Sequence, residues 1–70
     1  MIDMVATGVN IRHRMKEKNI TVRKLEDIMG FNTPQAIYKW LKGKCLPSID
    51  NLVILAEVLD CAIDDILRME

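Results

Sequence analysis

Apolar positions in this chain recur at intervals of three and four, and nowhere do they alternate with polar ones for long enough to build a strand. Helix-starting and helix-stopping residues return about every ten to fifteen positions, so the pattern predicts an all-α protein of five helices. A first helix is expected from about Thr7 to Lys18, with Thr7, Gly8, Ile11 and Met15 on one side and Arg12, His13 and Lys16 turned to solvent. Asn19 should close it in the left-handed conformation that Asn tolerates. Thr21 is the expected N-cap of a short second helix, Val22 to Met29, and Gly30 its stop. Val22, Leu25, Ile28 and Met29 fall within about 120° on a helical wheel, leaving Arg23, Lys24, Glu26 and Asp27 outside.

The third segment carries the clearest pattern. Thr33 is an N-cap type, Pro34 suits the first helical position, and Gly43 supplies the stop, which predicts a third helix of about nine residues. Its Ala36, Ile37, Trp40 and Leu41 form an apolar back, whereas Gln35, Tyr38, Lys39 and Lys42 form a polar, basic front without acids. Ser48 should cap a fourth helix, Ile49 to Leu59, whose apolar residues surround nearly the whole wheel, predicting burial on every side. Within one small unit that requires a cover for Val53, Ile54 and Val58: a fifth helix, the segment Met1 to Val5, or a second subunit. Asp60 ends the fourth helix. The fifth is expected at about Ile63 to Met69, with Asp64 and Asp65 stabilising its start where Ala62 offers no capping oxygen.

Charge changes this picture more than composition does. The 70 residues sum to zero, yet residues 1–44 hold nine basic and four acidic side chains, a balance of +5, and residues 45–70 come to −5. Such asymmetry marks a partner for the basic part that the total conceals. The length predicts one domain, residues 1–70, with an arm at 1–6 and a core at about 7–69, and no space for a substrate-binding unit. Two cysteines, Cys45 and Cys61, and one His, His13, lack the paired spacing of a zinc site, so both thiols are expected reduced and apolar in role. No apolar run reaches 18 residues and no signal-peptide pattern opens the chain, so a cytoplasmic protein with no membrane association is expected. Asp64 and Asp65 have no nucleophile, His or phosphate-cradling loop beside them, which argues against an enzyme, and no small-molecule ligand suggests itself.

Two short helices joined by Gly30-Phe31-Asn32, the second with a basic acid-free front, amount to a helix-turn-helix whose second helix enters the DNA major groove. The order Lys16-Glu17-Lys18-Asn19-Ile20-Thr21, Leu25, Gly30, Ile37 to Lys44, Leu46-Pro47-Ser48, Leu52, Leu55-Ala56 and Asp64-Asp65-Ile66-Leu67 resembles the phage-repressor and Cro-like, or XRE, helix-turn-helix family. The resemblance covers about four fifths of the chain and implies a five-helix, lambda-repressor-like fold. It also implies a cytoplasmic transcription regulator, most simply a repressor, that binds an inverted-repeat operator as a homodimer without a cofactor. The chain departs from the family pattern at Val22, where a phosphate-holding Gln is common, at Arg14, where an aliphatic residue is usual, and at Leu41, where Glu is usual. Its turn Gly30 to Thr33 is also one residue longer than the common form.

Double-stranded DNA is thus the expected partner. Lys39 suits guanine O6 and N7, Gln35 can bond adenine N6 and N7, and Tyr38 lies on the same face, so these three are the candidate base readers. Lys42, Lys44, Thr33, Arg23 and Lys24 are candidate phosphate contacts, which set register rather than sequence. Arg12, His13, Arg14 and Lys16 read as a solvated face, with one or two of them brushing a phosphate. Val53, Ile54 and Val58 are the candidate homodimer interface. A competing reading is a protein-interaction or antitoxin-type module that uses the apolar fourth helix and the acidic C-terminal part.

Overall fold

The computed structural model describes residues 1–70. Its helices are α1 (Met4–Glu17), α2 (Val22–Met29), α3 (Gln35–Leu41), α4 (Ile49–Leu59) and α5 (Ile63–Ile66). Outside them lies one isolated antiparallel bridge between Ile2 and Met69. No helix is long and apolar enough to cross a membrane.

Local signals placed α2 at its expected ends. Thr21 Oγ1 accepts from the Lys24 N–H at 3.1 Å, and Gly30 turns left-handed at φ 74° so that the Phe31 N–H donates to the Glu26 carbonyl at 3.0 Å. Asn19 closes α1 in the same way at φ 57°, and Asp60 closes α4 at φ 55°. Ser48 Oγ accepts from the Asn51 N–H, and of the two carboxylates expected at the start of α5 that of Asp65 accepts from the Ala62 N–H at 3.0 Å.

Several expectations are corrected. α1 starts at Met4 rather than Thr7, because Asp3 caps it by accepting from the Ala6 N–H at 3.0 Å; this leaves an arm of three residues in place of six. α3 starts after Pro34, and Thr33 makes no capping bond; its first turn instead rests on the Pro34 carbonyl, which accepts from the Tyr38 N–H. α5 is one turn long and ends at Ile66, because side chains of α1 compete for its last backbone groups. Asn10 Nδ2 donates to the carbonyls of Asp65 (2.7 Å) and Ile66 (2.9 Å), and the Arg68 N–H donates to Thr7 Oγ1 at 3.0 Å. The chain then runs extended back along its own beginning, where the Asp3 N–H donates to the Arg68 carbonyl and the Glu70 N–H to that of Met1.

The core joins all five helices through Ile11, Met15, Leu25, Ile37, Trp40, Leu41, Leu52, Leu55, Leu59 and Ile66, with Cys45 and Cys61 half-buried beside it as free thiols. Ile28 lies outside this core and is exposed, since it stands at the edge of the apolar arc of α2. α4 is likewise not buried all round. Leu52, Leu55, Ala56 and Leu59 face the core, where α5 packs on α4, but Val53 is 44% and Ile49 77% exposed. Periodicity located the apolar positions of α4 correctly, and the opposite side simply has no neighbour within this chain.

Candidate nucleic-acid interface

The candidate interface is built around α2, its turn and α3. Ile37, Trp40 and Leu41 anchor α3 in the core, each less than a tenth exposed. Gln35, Tyr38, Lys39 and Lys42 therefore stand on its solvent side, all exposed. Phe31, the residue after the Gly30 stop, meets Trp40 edge to face with ring centroids 5.9 Å apart. That contact fastens the turn to the helix it introduces.

The other end of α3 is shaped by Gly43, whose φ of 73° lets the Lys44 N–H donate to the Lys39 carbonyl at 2.9 Å. Lys44 thus follows Lys42 around a tight corner, and both are exposed. Arg23 and Lys24 stand exposed in the first turn of α2, and Thr33 is exposed in the turn before α3. The candidate readers and phosphate contacts therefore fall on two helix faces and the corners beside them. None of these cations is held in an ion pair: the one ion pair of the structure, Lys18 with Asp60 at 3.7 Å, joins the end of α1 to the end of α4.

Three shallow recesses follow one another along the Tyr38 and Leu41 side of α3. The first lies between α1, the start of α2 and Leu41; the second lies on α1 beside Leu41; the third, between α2 and the start of α3, is lined by Val22, Arg23, Glu26, Asp27, Pro34 and Tyr38. Val22 belongs to the first and the third, and its isopropyl group offers a phosphate nothing to bond. No three His, Cys, Asp or Glu side chains come together as a metal site would require. Among the candidate dimer residues, Val53 is exposed while Ile54 and Val58 are half-buried. Ile49, which the sequence reading did not single out, extends the Val53 face by one turn; its place at i−4 was the available signal.

Reading of the residues placed Thr7 on the inward side of α1 but missed the bonds by which Asp3, Thr7 and Asn10 hold the two ends of the chain together. Asp3 was visible as an N-cap type three residues before Ala6, whereas the partners of Thr7 and Asn10 lie more than fifty positions away and left no local trace.

Comparison with known proteins places this geometry. A family model described as "Helix-turn-helix" matches residues 11–66. Among solved structures, the restriction-modification controller protein C.AhdI from Aeromonas hydrophila superposes with a TM-score of 0.79 at 22% identity, over 91% of this chain and 96% of that one. The clp gene regulator ClgR from C. glutamicum does so with a TM-score of 0.76 at 20% identity, over 94% of this chain and 84% of the other. No curated protein sequence matches it.

Proposed function

Since the chain belongs to the XRE/Cro-like helix-turn-helix family of non-enzymatic, DNA-binding transcription regulators, we propose that it acts as a cytoplasmic repressor, binding an inverted-repeat operator as a homodimer. The observation that carries this reading is the exposed, acid-free face of α3, anchored from behind by the buried Ile37 and Trp40. With α3 in the major groove, Lys39 and Gln35 bond base edges and Tyr38 reaches a base or its sugar-phosphate rim. Lys42, Lys44, Thr33, Arg23 and Lys24 neutralise phosphates and fix register. No cofactor takes part.

A lone seven-residue helix makes too few contacts for useful affinity, so a second copy is part of the proposal. The outer side of α4 supplies its interface through Val53, Ile54 and Val58, with Ile49 adding apolar surface. The acidic C-terminal part then lies away from phosphate, which repels it.

Selection from a random duplex library tests the whole reading. It should return a palindrome whose half-sites stand about one helical turn, roughly 34 Å, apart; recovery of no motif would sink it. Lys39→Ala and Gln35→Ala should each relax discrimination at particular base pairs by about 1–3 kcal/mol, while Lys44→Ala should weaken all sequences alike. Val53→Glu should halve the mass seen by light scattering.

The 77% exposure of Ile49 beside Val53 also favours a second reading, in which α4 docks a different protein and the basic face is incidental. Salt separates the two. A DNA binder loses affinity for random duplex steeply between about 50 and 200 mM salt, whereas an adaptor has little binding to lose.

A further inference from the structure

Arg12 and Lys16, one turn apart on α1, line both of the adjoining recesses beside Leu41, each about 130 Å³ in volume. No acidic side chain lines either recess, and neither Arg12 nor Lys16 takes part in an ion pair. The first recess also contains Thr21, at the start of α2, so it opens where α1, α2 and the end of α3 meet. Along the same side of α3, the cleft that holds Tyr38 is lined by Glu26 and Asp27 as well as Arg23. An approaching polyanion therefore meets a carboxylate-bearing cleft at the start of α3 and an unopposed pair of cations at its end. Val22, between the two, contributes only apolar surface.

We propose that Arg12 and Lys16 form a phosphate-binding site of their own, holding the DNA strand that flanks the groove occupied by α3. The proposal rests on the DNA-binding reading above and extends it onto α1, committing Arg12 and Lys16 together to one strand. Two cations one turn apart on a helix, without counter-charge, suit successive phosphodiesters of one strand, and the site carries affinity without reading sequence. It also supplies, from α1, the anchoring that Val22 cannot provide from α2.

The test is a salt titration of binding to random and selected duplexes with the full chain. The double variant R12Q/K16Q should flatten the slope of log Kobs against log salt by about 1.8, roughly 0.9 for each lost phosphate contact. Its ranking of sequences should match that of the unaltered protein, and R12K/K16R should restore most of the slope. K18Q is the charge control, since Lys18 pairs with Asp60 just past the end of α4; its slope should stay unchanged. An unaltered slope in R12Q/K16Q, with helicity intact by circular dichroism, would overturn the site, as would an equal flattening in K18Q. If the unaltered protein shows no salt-dependent binding at all, the DNA-binding reading itself fails, a result distinct from either of these.

Discussion

Gly8 on α1 lies against the carbonyl oxygen of Trp40 on α3, so close that no side-chain atom fits between them. A Cβ at Gly8 would clash with that oxygen and stand 2.7 Å from the carbonyl oxygen of Leu41. The two helices thus touch backbone to backbone at the end of α3, and the pose of the proposed reading face depends on that contact. Two effects oppose each other in Gly8→Ala. Helix propensity favours Ala by about 1 kcal/mol, but overpacking against backbone that has no rotamer to yield costs about 1–3 kcal/mol. The steric effect should win, giving a lower urea midpoint and weaker binding to the selected operator. A variant as stable as the parent would show that α1 and α3 have slack.

Gly30 and Gly43 have nearly the same backbone conformation, φ 74° and 73°, in different surroundings. Nothing lies within 4 Å of a Cβ at Gly30, whereas one at Gly43 would stand 2.7 Å from Val5 Cα and 2.9 Å from Val5 N. Asn tolerates the left-handed region, so Gly30→Asn should cost less than about 1 kcal/mol. Gly43→Asn should cost about 1–3 kcal/mol more, because the added atoms meet α1. Equal losses in denaturant melts would assign the whole effect to conformation.

Arg14 Nε is buried and has no hydrogen-bond partner. An unsatisfied buried donor costs about 1–3 kcal/mol, while a cation in the last turn of α1 returns about 0.3–1 kcal/mol through the helix dipole. Arg14→Leu should therefore stabilise the fold by about 1 kcal/mol, raising Tm by about 4–8 °C in a domain of this size. A drop in Tm on calorimetry would mean that the dipole and the packed stem of Arg14 outweigh its orphaned N–H.

Asn10 is the clamp on α5. Its Nδ2 holds two carbonyls and its Oδ1 accepts from Arg68 Nη2 at 3.4 Å. Asn10→Ala should cost about 1–3 kcal/mol, and the loss should be local first: amide exchange at Leu67 and Arg68 should quicken before that of Leu25 or Leu55. Uniform acceleration across the chain would show that α5 unfolds only together with the core.

What was legible followed from how far away each cause lay. α2 was readable to the residue because its cap and stop, Thr21 and Gly30, lie within it or at its ends. The outward face of α3 was legible for the same reason: the apolar arc of Ile37, Trp40 and Leu41 dictates which side is left over. α5 came out shorter than its pattern because Thr7 and Asn10, distant in sequence, take its last backbone groups. α4 misled in the other direction, since a wheel reports which residues are apolar and not which neighbours exist to cover Val53. The recess of Arg12 and Lys16 was hidden because it exists only where three helices converge.

The bridge between Ile2 and Met69 brings the Met1 carbonyl to 2.9 Å from the Glu70 N–H, so the folded chain is very nearly a closed ring. Joining its ends through a short linker would hardly disturb the native state, yet would restrict the unfolded chain by an entropy worth about 4 kcal/mol for a loop of this length. The same closeness separates order of synthesis from architecture. Opened instead at the exposed bend around Ala62, a permuted chain would begin with α5, reach α1 directly, and still present α3 on the same support.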